Sequence, residues 1–576
     1  MILDSYTKNR CIIFLYYDKD GLVDRYVTGL LDALGKVSSR ILVVVNGYIT
    51  DAGERELRTH ANDVLVRVNT GFDVGGYREG IFWLGFGQLA KYDELILMNY
   101  TFFAPLFPLE NMFREMGKRD VDFWGITKHH AVPVDTTGGR IRYGHIPEHL
   151  NSHFLALRRD FFLSYNYRDF IMNMANPISY EASINDYEAV FTKHFADMGC
   201  KWDVYMDTDA FEGVVFAPFM FEGGPLVDMG CPIVKRRLFF GDYFSLLANS
   251  AGESYSDAYQ AVWERTDYDV SLIWENLLRL QDRNAVRYAI HESFVVDSET
   301  MVRRSISPAD GGSARQESTS EKLTCLDKIW EGEAAICIIG SEIEADFLAG
   351  RYLRHLPDAV PVLFFDRTVW DEEGNKELSD AVSRYGHVCV LNLPDYTKSD
   401  VPHSNATSLF YADCESLIGT GCHVANVTTL FYDHPELGLL VPPMPTFGCY
   451  FEQAEDGWYG RYEDVARMAE ELGLSFPILR GEMPPVFPFG GSFWARGEVL
   501  AKTFSIGQLA WEDSMLGMLM MPYLFQKFGY MTGTVTGPHY AAVELTNLEY
   551  ELREHNREIF RRVQPDAWWK VLDELK

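Results

Sequence analysis

Cys11-Ile-Ile-Phe-Leu-Tyr-Tyr17 is a continuous apolar run of the length of one buried strand. The polar turn Asp18-Lys-Asp-Gly21 follows it, and from Leu22 to Leu34 apolar residues recur at helical spacing. Ile41-Leu-Val-Val-Val45 is a second buried strand, ended by the turn pair Asn46-Gly47. Val64 to Val68 is a third, Gly80 to Leu89 reads as helix, and Glu94-Leu-Ile-Leu-Met98 is a fourth strand. Strands alternating with helices predict a parallel sheet covered on both faces. Ligands bind such sheets beyond the carboxyl ends of the strands. Chemistry is therefore expected at Tyr17 and Asp18, at Asn46, from Asn69 to Gly76, and from Asn99 to Thr101.

Residues 262 to 296 read as amphipathic helix, with Val270, Leu272, Ile273, Leu277, Leu278 and Leu280 on the apolar side. From Asp297 to Lys322 the chain turns polar, with Ser-Pro, Gly-Gly and a Ser/Thr/Glu cluster, as an exposed linker does. A second alternation then begins. Ala334 to Ile339, Val360 to Phe365 and His387 to Leu391 read as strands, and Glu344 to Leu356 as a helix. The expected organisation is an α/β domain over 1–296, a linker over 297–322 and a second α/β domain over 323–576.

The 576-residue chain carries 52 Lys+Arg against 83 Asp+Glu, a net charge of −31 that repels phosphate backbones and argues against nucleic acid. No run of about 20 apolar residues is present, and the opening residues lack the shape of a signal peptide. The expected location is the cytoplasm, at most peripheral at the inner face of the cell membrane. Nine cysteines are scattered with none at C-x-x-C spacing, which argues against a zinc knuckle or a disulfide framework.

Four segments form an ordered series. They are Tyr16-Tyr17-Asp18, Asn69-Thr-Gly71-Phe-Asp73-Val-Gly75-Gly76-Tyr77, Leu97-Met98-Asn99-Tyr100-Thr101, and Ile184-Asn-Asp186-Tyr-Glu188 opening a helical run to Gly199. Three glycines in six residues allow close backbone approach to a ligand, and Asn and Asp there can bond a base, ribose or sugar. An acidic residue at a helix start can equally serve the helix dipole.

The series resembles the nucleotide-sugar glycosyltransferases with the A-type fold. In that resemblance Asn69-x-Gly71 stands before the Asn99-Tyr100-Thr101 strand end, His149-Leu-Asn151-Ser152 leads to an acceptor-side strand before Arg158-Arg159, and Glu188 stands at the catalytic acid's spacing from Gly199. A closer resemblance covers nearly the whole chain. Asn69 to Tyr77, Tyr92 to Asn99, Asp122-Phe-Trp-Gly-Ile-Thr127, His149 to Ser152, Pro232-Ile-Val-Lys-Arg-Arg237, His434 to Pro442 and Phe487 to Arg496 resemble the rhamnan synthesis protein F family. The resemblance implies two Rossmann-like domains of the A type. It also implies inverting transfer of L-rhamnose from dTDP-rhamnose to a lipid-linked or polymeric cell-wall glycan, alongside other polysaccharide-assembly proteins.

Under that resemblance the donor side comprises Tyr17, Asp18, Asn46, Asn69, Gly71, Asp73, Gly75, Asn99, Thr101, Lys235 and Arg236. The acceptor side comprises His149, Asn151 and Ser152, and Glu188 is the expected base with Asp186 as its competitor. Relatives carry Asn-Asp-Ser where this chain has Asn99-Tyr100-Thr101, so the carboxylate that would hold a metal is missing. Either another acid takes over, Asp73 being the nearest by motif, or the site works without metal, or it is degenerate; the expectation is weak dependence on Mg²⁺ or Mn²⁺, with Lys235-Arg236-Arg237 as the cations a metal-free site would need for the leaving diphosphate. In the second half, Asp413 and Glu415 follow an apolar stretch as a metal-binding pair would, and Glu512-Asp513 opens a helical segment towards Gly529. Two rivals remain open: a transferase for another nucleotide sugar, and a non-catalytic glycan-binding or scaffold subunit.

Overall fold

The computed structural model describes residues 2–4, 7–135, 140–241, 243, 246–247, 252–299, 332–356, 358–370, 372–395, 403–448, 450, 457–480, 486–506, 511 and 514–562. Most of the expected linker, and both Glu512 and Asp513, lie outside these residues. The chain divides into two compact units, Met1–Leu277 with Tyr288–Ile290, and Leu278–Arg287 with His291–Lys576. Each is α/β.

The first unit's strands are β1 (Arg10–Tyr16), β2 (Arg40–Asn46), β3 (Asp63–Arg67), β4 (Glu94–Asn99), β5 (Phe102–Phe103), β6 (Phe123–Gly125), β7 (Lys128–His129), β8 (His149–Leu150), β9 (Phe154–Arg158), β10 (Trp202–Val204) and β11 (Val234–Lys235). Seven of them form one sheet in the order β10-β6-β9-β4-β1-β2-β3. β1 and β4 are buried along their whole length because helices cover both faces, which is why they read as unbroken apolar runs. The sheet is not wholly parallel, as alternation predicted: β9 runs antiparallel between β4 and β6.

The second unit's strands are β12 (Ser293–Val295), β13 (Ala334–Ile339), β14 (Val362–Phe365), β15 (His387–Asn392), β16 (Leu437–Val441), β17 (Phe493–Arg496) and β18 (Met531–Thr536), in the order β12-β18-β16-β17-β15-β13-β14. Setting aside β3 and β12, the sheets read β2-β1-β4-β9-β6-β10 and β14-β13-β15-β17-β16-β18. Ranked by appearance in the chain, both orders are the same, and in both the fifth strand is the antiparallel one. The two units are topological repeats.

Three local readings are corrected. Residues 262 to 296 are not one helix. They comprise the end of Ser254–Arg265, then Ser271–Leu280 and Arg283–Ile290, the last stopped by His291 at φ 58°, and then β12, which pairs with β18. The helix placed at Gly80 begins at Phe72, so the Gly-rich segment is mostly helix and not loop. Gly71, at φ 72°, is its N-cap, and its glycines let it lie directly on the sheet: a Cβ on Gly80 would stand 2.8 Å from Ile13 Cγ2. Finally, Cys422 is disulfide-bonded, although cysteine spacing gave no sign of it.

A row of charges crosses the first sheet. Arg10, Glu94 and Arg158 are register partners on β1, β4 and β9, all essentially buried. Glu94 lies 2.7 Å from Arg10 Nε and 3.1 Å from Arg158 Nη1, and accepts from Trp124 Nε1 at 2.7 Å. Removing one member of such a group strands the others, at a cost of about 3–5 kcal/mol. Glu94→Ala is accordingly expected to strip amide exchange protection from β1, β4 and β9 by about two to three orders of magnitude. Unchanged protection would show that the row contributes no stability.

Candidate active site

The first unit's polar groups gather beyond the carboxyl ends of β1 and β4, where successive connections leave in opposite directions along the sheet. Asn99, the last residue of β4, donates through Nδ2 to Asp73 Oδ2 at 2.5 Å. Its Oδ1 accepts from Thr101 N at 3.1 Å and Thr101 Oγ1 at 2.7 Å. Lys235 Nζ donates to Thr101 Oγ1 at 2.9 Å. β11, pairing antiparallel with β5, delivers that lysine. Four residues thus form one chain from carboxylate to ammonium.

Across from it stands Glu188. Ser152 binds its carboxylate twice, through N to Oε1 at 3.2 Å and through Oγ to Oε2 at 2.8 Å. Antiparallel β9 makes this possible, because its amino end lies at the carboxyl end of β4. Glu188 ends a π-helical turn, Ile184–Glu188, closed by Ala189 N donating to Ile184 O. Such turns are rare and recur at functional sites. Asp186, two residues earlier, is exposed. Tyr77 OH donates to Ser152 O at 3.3 Å, supporting the same segment. His149 stacks on His129 at 4.9 Å, and its Nδ1 meets Pro147 O at 2.7 Å.

Electrostatically the site is tightly coupled. Burial raises Asp73, opposed by the Asn99 hydrogen bond and the Lys235 charge, while Glu188 adds to the rise. Burial lowers Lys235, and Glu188 and Asp73 pull it back up. Burial pushes His129 down to about 4, which leaves its ring neutral at pH 7, and burial also lowers His149. Sequence reasoning missed Tyr77 and His129 as parts of the site. Tyr77 closes the Gly-rich segment, and His129 follows Asp122 to Thr127, so both adjoin segments that had been singled out.

Other expected donor-side residues act on the scaffold. Asp18 Oδ1 accepts from Asp20 N at 2.9 Å and Leu22 N at 3.1 Å, shaping its own turn. Asn46 accepts from Arg67 and donates to Phe72 O at 3.4 Å, bracing the start of the Gly-rich helix. A Cβ on Gly75 would stand 2.9 Å from Thr70 O. Tyr17 and Asn69 are exposed. Arg236 is buried; its Nη2 donates to Asn276 at 2.7 Å and its guanidinium lies 5.5 Å from the Tyr100 ring. Asn151 Oδ1 accepts from Thr127 Oγ1 at 2.9 Å.

The donor set does not suit a divalent cation. Asp73 is the one carboxylate bonded into the chain, Tyr100 packs edge-on against Tyr16 at 5.6 Å, and an ammonium sits on Thr101. Among the described residues, no group of three His, Cys, Asp or Glu is arranged to hold a metal.

In the second unit, Asp413 and Glu415 lie on the helix His403–Leu417 and address different partners. Glu415 accepts from Tyr352 OH at 2.7 Å, whereas Asp413 is buried against Ser492. Among the described residues, no helix is long and apolar enough to cross a membrane.

The family model of rhamnan synthesis protein F matches residues 41–515. No curated protein matches. Among solved structures, a protein described as a nucleotide-diphospho-sugar transferase from Desulfovibrio desulfuricans G20 is 11% identical, with 34% of this chain and 79% of that chain covered and a TM-score of 0.21. Core-mannan synthase A (CmsA/Ktr4) from Aspergillus fumigatus, in its Mn/GDP form, is 12% identical, with 30% and 66% covered and a TM-score of 0.18. The mannosyltransferase Ktr4p from S. cerevisiae in complex with GDP is 8% identical, with 33% and 67% covered and a TM-score of 0.21.

Asp413 generates a pH prediction. Burial pushes its carboxyl up to about 8 from an ordinary 3.8, against the opposing Ser492 hydrogen bond. The folded chain therefore holds a proton that the unfolded chain releases near pH 4. This contribution to stability is complete below about pH 4 and is lost as pH rises to about 8. Asp413→Asn removes the dependence. Its unfolding free energy relative to the natural chain is expected to climb from pH 5.5 to about pH 8, by up to about 1.4 kcal/mol per pH unit, as read by chemical denaturation. A constant difference would show that Asp413 ionises normally.

Proposed function

The chain belongs to the rhamnan synthesis protein F family, and on that premise we propose that its first unit transfers L-rhamnose from dTDP-rhamnose to a cell-wall glycan acceptor with inversion. The family indicates a glycosyltransferase. The observation that carries the finer reading is the pairing of two opposed groups in one cleft: the Lys235 ammonium held by Thr101, and the Glu188 carboxylate held by Ser152.

The reaction needs a base for the acceptor hydroxyl and a counter-charge for the departing diphosphate. Glu188 takes the hydroxyl proton as the acceptor oxygen bonds to the anomeric carbon. On the opposite face of the sugar, the bond to the diphosphate breaks and its electrons leave with the nucleotide. Ser152 donates twice to the Glu188 carboxylate, so its aim is fixed before substrate arrives. Lys235 offers N–H donors beyond the one given to Thr101, and these suit phosphate oxygens. The stacked His149 and His129 rings, both lowered by burial, form a wall near Glu188 suited to a sugar. A cytoplasmic protein working against a lipid-linked acceptor would meet it at the inner membrane face with the help of assembly partners.

Donor hydrolysis over dTDP-rhamnose, UDP-glucose and GDP-mannose tests the donor; preference for either of the last two overturns rhamnose. Glu188→Gln is expected to lose about 10²–10⁴ in turnover with donor affinity little changed, and Asp186→Asn far less. Near-normal turnover in Glu188→Gln would remove it as the base.

The lysine makes a separate prediction. Lys235→Met is expected to lower turnover about 10²–10³-fold, the usual cost of one preorganised donor to a developing anion. EDTA is expected to leave the natural chain's rate within about twofold. Activity abolished by EDTA and restored by Mn²⁺ would overturn the role given to Lys235.

A further inference from the structure

The topological repeat leaves one sheet edge of the second unit without the strand that covers its counterpart. β14 takes the place of β2: they flank β13 and β1, which hold the same rank in the repeated order. In the first unit β3 closes that edge, pairing parallel with β2 from Leu42–Asp63 to Asn46–Arg67. Among the described residues, β14 has one neighbouring strand, β13. Ile336 N donates to Pro361 O at 2.9 Å, and Gly340 N donates to Phe365 O at 2.8 Å. Bonding in a parallel ladder uses alternate residues of a strand, so Val362 and Phe364 turn their N–H and C=O groups outward.

A groove runs along that open edge. A cavity of about 550 Å³, a size typical of ligand clefts, is lined by the four residues of β14, by Glu342, by Glu377 and Asp380 of the helix Glu372–Val382, and by Arg384 just beyond it. Phe364 is 39% exposed. β14 is Val-Leu-Phe-Phe, with no charge or proline of its own to deter an added strand. Glu342, Glu377 and Asp380 are exposed, and among the described residues none of the three is ion-paired. The first unit shows what answers such an acid. Its helix Phe72–Leu84 precedes β4 as Glu372–Val382 precedes β15, and Glu79 on that helix is met at 2.6 Å by Arg67 Nε from β3. Among its described residues, the second unit has the acids on its helix and lacks the strand that would bring the arginine.

We propose that β14 receives an extended segment of a partner protein as a further strand, one that alternates apolar residues with Lys or Arg. Strand addition gives such a segment main-chain hydrogen bonds to Val362 and Phe364, and the cavity takes its alternate side chains, which sets the preference among partners. The cations answer Glu377 and Asp380, as Arg67 answers Glu79 in the first unit. A second copy of the chain is the poorer occupant. β14 laid against β14 brings two sets of the same carboxylates together, and one Arg384 on each side does not balance three acids. The surface stands on the second unit alone, whatever sugar the first unit transfers.

Fluorescence anisotropy on the full chain tests this with two labelled synthetic peptides, one alternating valine with lysine and arginine, the other alternating valine with glutamate. The basic peptide is expected to bind and the acidic one not. In the complex, hydrogen exchange is expected to slow at the Val362 and Phe364 amides. Glu377→Lys combined with Asp380→Lys is expected to weaken the basic peptide about 2- to 30-fold, the span that two exposed ion pairs supply, and to admit the acidic peptide. Binding gained by that variant cannot come from a damaged fold. No binding of the basic peptide, binding indifferent to the charge reversal, or exchange slowed elsewhere with β14 unchanged would each overturn the proposal. Self-association of the natural chain that Phe364→Lys abolishes would overturn it too, by giving the edge to a second copy.

Discussion

Glu94 holds two arginines across three strands, and the cleft at the other end of those strands depends on it. Arg10, Glu94 and Arg158 occupy one row of the sheet, so their pairing sets β1, β4 and β9 in register. A slip of one residue would turn every side chain of a strand to the opposite face and separate the charges. With the row fixed, β4 must finish with Asn99 beside β1, and the segment entering β9 must bring Ser152 alongside. The repeat in the second unit has no such row. There Ala334, His387 and Arg496 occupy the matching positions; His387 stacks on Phe431 at 4.7 Å, and Arg496 donates to the Phe431 and Leu437 carbonyls. The same topology is held in one unit by a buried ion row and in the other by ring stacking and carbonyl capture.

Much of the strand plan is legible in the sequence because strands buried on both faces are unbroken apolar runs. β13 spans the residues expected of it, and β4 and β15 each extend one residue further, to an asparagine. The direction of β9 is not legible, since Phe-Leu-Ala-Leu-Arg has no feature that distinguishes parallel from antiparallel pairing. The Gly-rich helix was hidden for a related reason. Glycine signals turns, yet here Gly76 and Gly80 mark the face on which helix meets sheet. Asp73, Asn99, Thr101, Lys235, Ser152 and Glu188 could each be picked out from their segments. That they meet could not be read, because Lys235 reaches Thr101 across 134 positions of chain. Asp413 and Glu415 misled because two positions on a helix differ by roughly 200° and point apart, whereas on a strand they share a face.

The charge balance of the molecule gives this geometry its force. A chain with net charge −31 opposes an anionic donor at long range, so attraction must be local. Lys235, with Arg236 and Arg237 nearby, is a local exception: burial lowers it, and Glu188 and Asp73 oppose that fall.

The π-helical turn that ends at Glu188 carries a consequence for how such proteins tolerate insertions and deletions. A π turn holds one more residue than the α-helical turn it replaces, so Glu188 is oriented by residue count as well as by contact. Loss of a single residue between Ile184 and Glu188 would restore regular winding and leave every hydrophobic position of the following helix able to re-seat. It would also swing the carboxylate by about 100° away from Ser152. The chain would fold, and its cleft would be empty of its acid. In this segment reading-frame-preserving deletions, usually harmless at helix ends, are sharper lesions than most substitutions.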